Sequence, residues 1–249
     1  MEYLEKIARL AELIKENERF YVLTGAGIST ASGVPDFRSP GTGLWEKVDP
    51  IATSSVDVLH NNPRLFYEAG FSRFTRLSSA EPNQGHYMLV RLEELGYLKG
   101  LVTQNVDGLH VKAGSKNVWE VHGHLRSGYC LGCKMKYPFE ELVHQVDLKH
   151  IPPVCHNCHS TLRPDVVLFG DPMPDFFLDL YQEIQRDCDF MLVVGSSLVV
   201  YPVADLPRLA GKMAIINNQP TDYDQRSEVA ISEDISKVLN DLVKELESN

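Results

Sequence analysis

The chain has 249 residues, with 24 Lys and Arg against 34 Asp and Glu and a formal net charge of −10 at pH 7. That balance speaks against a binder of nucleic-acid backbones, whose affinity rests on cations neutralising phosphates, so no direct nucleic-acid partner is expected. No apolar run is long enough to span a membrane, and Met1-Glu2-Tyr3-Leu4-Glu5-Lys6 lacks the cationic-then-apolar pattern of a secretory leader. The expectation is a cytoplasmic protein without a membrane partner, large enough for one main domain and a smaller insertion.

Leu4, Ile7, Ala8, Ala11 and Ile14 recur at helical spacing and predict an amphipathic first helix. Phe20-Tyr21-Val22-Leu23 is a continuous apolar run, as expected of a strand covered on both faces. It leads into Gly25-Ala26-Gly27-Ile28-Ser29-Thr30. A doubly wound sheet presents backbone N–H groups to a pyrophosphate in this way, with glycine where a Cβ would block approach. The usual fingerprint has a third glycine where this chain has Thr30, so taken alone an ordinary glycine turn reads as well. Further on, Phe37 and Arg38 follow a rigid Pro35-Asp36 turn. An aromatic there can shield a reacting centre from water, and Arg38 can meet a phosphate.

Residues 35–79 read as loop and helix without a strong strand. A helix is predicted over 85–95 and a strand over 98–103. At that strand's end Gln104, Asn105 and Asp107 place two amides and a carboxylate on one rim. Amides can bind ribose hydroxyls and a carboxylate can accept from a carboxamide, while helix capping by Asn105 or Asp107 explains them equally well. A strand over 118–121 leads to His122, with Gly123 leaving its ring unobstructed. Ligands of open α/β sheets gather beyond the carboxyl ends of strands, and an imidazole titrating near ~6.5 suits proton abstraction at neutrality. His124 is the neighbouring alternative.

Residues 125–163 are rich in Cys, His and Pro. Cys130-Leu131-Gly132-Cys133 and Cys155-His156-Asn157-Cys158 are two knuckles whose four thiolates can close a tetrahedral zinc site. Two disulfides do not suit a chain without an export signal. Four sulfurs leave no open position for water, so one structural zinc is expected, with His156 and His159 not needed as ligands. The fifth cysteine, Cys188, reads as a buried, inert thiol. Strands are predicted over 166–169, 190–194, 213–216 and 229–231. Gly195-Ser196-Ser197 follows the strand over 190–194, where small residues at the carboxyl end would let an adenosine approach, and Asn217 and Asn218 after the next strand can take ribose hydroxyls. A closing helix over 235–246 carries the stripe Ile235, Val238, Leu239, Leu242 and Leu246. Alternating strands and helices define the fold class: α/β, a doubly wound, mostly parallel, Rossmann-like sheet with a smaller inserted domain.

Gly25-Ala26-Gly27-Ile28-Ser29 with Ser32-Gly33-Val34-Pro35-Asp36-Phe37-Arg38 resembles the first signature of the sirtuins, the NAD-dependent protein-lysine deacylases. Thr103-Gln104-Asn105-Val106-Asp107-Gly108-Leu109-His110 is similar to their second signature, with Val106 where isoleucine is common. Val121-His122-Gly123 matches the segment that carries their catalytic histidine. The cysteine pairs and Gly195-Ser196-Ser197-Leu198-Val199-Val200-Tyr201-Pro202 follow in the family's order.

The resemblance implies a division into a Rossmann-like NAD-binding domain (1–34, 80–124 and 164–249) and a small domain. The latter is made of a helical insertion (35–79) and a zinc ribbon (125–163). It implies NAD as a consumed cosubstrate, held by Gly25, Ala26, Gly27, Thr30, Asp36, Phe37, Arg38, Gln104, Val106, Gly195, Ser196, Ser197, Asn217 and Asn218. Asn105 would position the nicotinamide ribose and Asp107 would contact the carboxamide. An acetylated protein or peptide would lie as an added strand between residues 166–170 and 198–201, against Gly170, Val200 and Tyr201. Val167 and Phe169 would line the acyl-lysine tunnel. In the implied reaction the acyl oxygen attacks the anomeric carbon and nicotinamide leaves. His122 then activates a ribose hydroxyl, and free lysine and O-acyl-ADP-ribose result. Succinyl-preferring sirtuins carry a Tyr-x-x-Arg pair; here Arg73 matches the arginine, but Gly70 stands at the tyrosine position, so acetyl-lysine is the expected substrate. The alternatives are desuccinylation or longer-chain deacylation, mono-ADP-ribosyl transfer, and a non-catalytic NAD or ADP-ribose sensor.

Overall fold

The computed structural model describes residues 1–17, 20–35 and 50–248. Its strands are β1 (Phe20–Thr24), β2 (Leu98–Thr103), β3 (Val118–Glu120), β4 (Gly123–Cys130), β5 (Lys136–Pro138), β6 (Leu162–Val166), β7 (Phe190–Val194), β8 (Lys212–Ile216) and β9 (Val229–Ile231). The α-helices are α1 (Tyr3–Glu16), α2 (Pro50–Ser54), α3 (Val56–Asn61), α4 (Pro63–Leu65), α5 (Phe71–Ser78), α6 (Gln84–Glu94), α7 (Leu109–Ala113), α8 (Phe139–Asp147), α9 (Phe177–Asp187) and α10 (Ile235–Ser248).

Six strands form one parallel sheet in the order β3-β2-β1-β7-β8-β9. The chain winds outward from β1 in one direction and from β7 in the other. The order therefore reverses between β1 and β7, which is where a doubly wound sheet opens a crevice. Every residue of β1 and of β7 is buried, because both faces of the sheet are covered. Alternate side chains go to opposite layers. Phe20, Val22, Phe190 and Leu192 pack with α1, α6 and α10, while Tyr21, Leu23, Met191 and Val193 pack with α9 and the short 3-10 helix Val203–Arg208.

The first helix is rotated from the expected stripe. Ile7, Ala11 and Ile14 are buried as predicted, Leu10 and Leu13 join them, and Leu4 is 74% exposed. The closing helix buries the predicted stripe, with Val243 added.

Three strands, β5-β4-β6, form a separate antiparallel sheet. The expected strand over 166–169 is displaced: β6 ends at Val166, pairs with β4, and leaves 167–170 as a loop. The apolar run was misleading because its side chains line a cleft; Phe169 is 37% exposed. The buried half of the strand is hidden in Leu162-Arg163-Pro164-Asp165, whose polar composition masks it. Leu59, Phe66 and Phe71 share one apolar cluster with Phe139, Leu142 and Leu162, so the helices after residue 50 and the antiparallel sheet rest on a common core.

Candidate NAD cleft and zinc centre

A cleft of about 640 Å³ opens at the carboxyl ends of β1, β2, β7 and β8. Gly25, Ala26, Gly27 and Thr30 enter it from the turn after β1, and Gln104, Asn105, Val106 and Asp107 from the turn after β2. His122 comes from the junction of β3 and β4, Gly195, Ser196 and Ser197 from the turn after β7, and Asn217 and Asn218 from beyond β8. Val167, Phe169, Gly170, Val200 and Tyr201 line the same cleft. Asp36, Phe37 and Arg38 lie outside the described residues.

Two backbone turns meet at the floor of the cleft. The Gly27 amide donates to the Gly195 carbonyl at 2.8 Å, and the Gly25 amide to the Val194 carbonyl at 3.1 Å. A Cβ on Gly27 would lie 2.7 Å from Gly195 Cα, and one on Gly25 2.8 Å from Gly195 O. Gly195 itself has φ +64°. The cradle admits only glycine, so its wall toward the cleft is bare backbone, which suits a pyrophosphate-bearing dinucleotide. Thr30 does not break it: its Oγ1 donates to the Gly27 carbonyl at 2.9 Å, bracing the turn.

The polar rim is interconnected. Gln104 donates from Nε2 to Ser196 Oγ at 2.8 Å, joining the strand ends across the crevice. Asn105 is buried, and its Nδ2 donates to the Gly25 carbonyl at 3.1 Å and to Ser29 Oγ at 3.2 Å. That leaves its Oδ1 as the acceptor end. Asp107 both caps and lines the cleft. Its Oδ1 accepts from the Leu109 amide at 2.9 Å, and its Oδ2 accepts from Ser29 Oγ at 2.7 Å. Burial raises the Asp107 pKa, against the lowering effect of those two hydrogen bonds. His122 Nδ1 lies 3.0 Å from the Gln104 carbonyl. A carbonyl only accepts, so Nδ1 carries the proton and Nε2 the lone pair. Gly123 does more than clear the ring: it has φ +78°, and a Cβ there would meet Val166 Cα at 2.9 Å. Its absence of side chain lets β6 close against β4 directly beside His122.

Two residues behind the rim escaped sequence reasoning. His86 Nδ1 accepts from the Asn83 amide at 3.2 Å, so its Nε2–H points the proton at Ser29 Oγ, 3.4 Å away. Ser29 in turn donates to Asp107, so a three-member chain orients the carboxylate. Ser29 sits inside the glycine motif and His86 three residues after Asn83, but only the fold brings them together. His110, also buried, meets Thr24 Oγ1 at 2.9 Å with its ring 4.9 Å from that of His86. Burial lowers the pKa of His86 to about 4 and that of His110 well below its ordinary value.

Cys130, Cys133, Cys155 and Cys158 bring their sulfurs within 4.8 Å of one another. Cys130 and Cys158 are 3.3 Å apart and Cys133 and Cys155 3.6 Å, near the ~3.8 Å that tetrahedral Zn–S bonds of about 2.3 Å require. The Tyr137 hydroxyl lowers the Cys155 thiol to about 7 and the Ser160 amide lowers Cys158 to about 6, while burial pushes Cys130 up to about 11, so the sulfur geometry carries the metal assignment. The donor set fits one structural zinc. His156 stands apart, 2.9 Å from Glu141 Oε1. Cys188 is buried, with its thiol 3.3 Å from the Phe190 carbonyl.

A doubly wound sheet with a glycine cradle at its crevice and a four-cysteine ribbon beside it defines a dinucleotide-binding α/β protein with an inserted metal module. The Sir2 family model matches residues 25–202. An NAD-dependent protein deacetylase 2 of Caldanaerobacter subterraneus subsp. tengcongensis is 51% identical over 234 residues, 94% of this chain and 93% of that protein. An NAD-dependent protein deacetylase of Caldivirga maquilingensis is 43% identical, covering 97% of this chain and 95% of that protein. A solved Sir2 enzyme with a deacetylated p53 peptide and 3'-O-acetyl ADP ribose superposes with TM-score 0.89 at 35% identity, covering 95% of this chain and 97% of that one. The chain belongs to the Sir2 family.

Two outcomes are expected from the site. Metal analysis of the purified protein should find one zinc per chain, and Cys155→Ala should lose it; full zinc content in that variant would contradict the four-sulfur assignment. His86 titrates near ~6.5 in an unfolded chain but at about 4 in the fold. The unfolded state therefore binds the extra proton between those values. Stability from this group is complete above pH 6.5 and is lost as pH falls toward 4, by roughly 3 kcal/mol. Thermal melts between pH 7 and 4 should be steeper for the wild type than for His86→Gln; equal slopes would contradict the burial of a neutral imidazole.

Proposed function

We propose that the chain removes acetyl groups from lysine side chains of proteins, consuming NAD and yielding nicotinamide, O-acetyl-ADP-ribose and free lysine. The observation that carries this reading is the convergence of His122, Asn105 and Asp107 on the crevice that holds the Gly25, Gly27 and Gly195 cradle. The named activities of the relatives support it. NAD, when bound, supplies the ribose carbon to which the acyl oxygen is transferred.

The residues then divide the work. The cradle leaves room for the pyrophosphate beside bare main chain, the amides of Gly25, Gly27 and Gly195 being themselves bonded to Val194, Gly195 and Ile216. Ser196, Ser197, Asn217 and Asn218 serve the adenosine half. Asn105 Oδ1, which accepts nothing among the described residues, is available to a ribose hydroxyl. Asp107, oriented by Ser29 and Leu109, accepts from a carboxamide. His122 acts as general base through Nε2, because the Gln104 carbonyl occupies the Nδ1 proton. An extended acetylated peptide lies between residues 166–170 and 198–201, with Val167 and Phe169 beside the acyl-lysine. In the same proposal, the described residues of 35–79 act with 125–163 as one small lobe against the Rossmann-like domain; residues 36–49 lie outside the described residues. A cytoplasmic address belongs to it too, since four thiols kept for zinc require reducing surroundings.

The acyl preference follows from the helical wall. Arg73 is half-buried and its guanidinium donates to Thr53 Oγ1 at 2.5 Å. Gly70 packs so tightly that a Cβ there would lie 2.7 Å from the Thr53 carbonyl. That position has no room for a tyrosine, and Arg73 is engaged by a neutral hydroxyl, so no carboxylate grip is assembled and acetyl is favoured over succinyl.

The test is nicotinamide release and peptide mass after incubation with NAD and acetyl-, succinyl- or longer-acyl-lysine peptides. Acetyl should be lost fastest, and His122→Ala should slow turnover by about 10²-fold or more. Faster loss of succinyl would overturn the acyl assignment, and an unimpaired His122→Ala variant would overturn the role of the base.

A further inference from the structure

Arg163 is a buried cation in β6, 4% exposed, and its head is fully engaged. Nη1 and Nη2 fork onto Asp171 Oδ1 and Oδ2 at 3.1 and 2.6 Å, and Nη2 also donates to the Val166 carbonyl at 2.8 Å. Asp171 Oδ2 accepts the Leu168 amide at 2.8 Å, and the Asp171 amide returns a bond to the Leu168 carbonyl at 3.0 Å. All these bonds fall on residues 166–171, the loop that lines the cleft after β6.

A buried ion pair adds little net stability over apolar residues of similar volume, so stability alone does not account for it. What it does is fix a backbone. The loop is held from two other sides as well: the Val167 amide donates to the His122 carbonyl at 2.8 Å, and the Phe169 carbonyl accepts from Val56 at 2.9 Å. Without the Asp171 carboxylate, which the Arg163 fork holds in place, nothing among the described contacts holds the Leu168 amide. An edge that binds an extended peptide by main-chain hydrogen bonds gains most from being ordered beforehand, because a mobile edge must be immobilised on binding.

We propose that Arg163 and Asp171 are positioning residues for the peptide substrate: the pair sets residues 166–171 as a preformed edge for the acyl-lysine peptide. This rests on the deacetylase reading above. The pair's hydrogen bonds fall on the loop after β6 and none falls on Gly25, Gly27 or Gly195, so its loss should affect peptide and not dinucleotide.

The experiment measures binding of a fluorescently labelled acetyl-lysine peptide by anisotropy and of NAD by calorimetry, in the full chain. Asp171→Asn should weaken peptide binding by about tenfold and leave NAD affinity within about twofold, and Asp171→Glu should recover most of the loss. Asp171→Asn strands a buried cation and can unfold the protein. The double variant Arg163→Met with Asp171→Leu removes both charges together, and should fold and still bind peptide weakly. Wild-type peptide affinity in the double variant, or an equal fall in peptide and NAD affinity, would overturn the positioning role. Turnover by the wild type is scored separately, so a chain that binds peptide without releasing nicotinamide would refute the deacetylase reading while the affinity ratios still judge the clamp.

Discussion

Everything at the site depends on how closely two backbone turns approach at the switch point of the sheet. β1 and β7 pair in register from Phe20 with Phe190 to Thr24 with Val194, and the chain turns away from both strands at the same height. Gly25, Gly27 and Gly195 then meet with no side chain between them. A methyl group on any of the three would force the turns apart. The cleft is thus a consequence of strand register and of three missing Cβ atoms, before any polar side chain is considered.

The polar groups are positioned from that base outward. Asn105 ties the β2 end to the Gly25 carbonyl, Gln104 ties it to Ser196 beyond β7, and Ser29 joins Asn105 to Asp107. The antiparallel sheet enters the same construction through a two-residue link, Val121-His122. His122 closes the path out of β3, Gly123 begins β4, and its positive φ lets β6 lie against it. His122 and the loop after β6 therefore share a main-chain hydrogen bond, from the Val167 amide to the His122 carbonyl. The four-cysteine cluster holds the far ends of the same strands: Cys130 closes β4, and Leu162 opposite it opens β6.

Much of this was legible in the sequence, for identifiable reasons. The central strands are continuous apolar runs because both faces are covered, and the cysteine knuckles announce themselves by spacing. The rim residues fall directly after strands, where a parallel sheet gathers its ligands, and all of those among the described residues line one cleft. What stayed hidden is what depends on contact between distant segments. β6 is masked in the sequence because Arg163, Pro164 and Asp165 disguise a buried strand, while the apolar residues after it face the cleft. Leu4 shares the helical periodicity of the buried residues yet turns outward. Ser29 and His86 are 57 residues apart, and their chain to Asp107 exists only once α6 packs beneath the glycine turn. The Arg163–Asp171 fork is likewise a tertiary fact, since charge in a sequence reads first as surface.

The most direct test of the central claim is NAD binding to Gly27→Ala, measured by calorimetry beside a thermal melt. A loss of affinity of about tenfold or more in a protein that still melts cooperatively is the predicted result, since the added Cβ would meet Gly195 Cα at 2.7 Å and push the two turns apart. Wild-type NAD affinity in that variant would contradict the claim that the glycine contact builds the site.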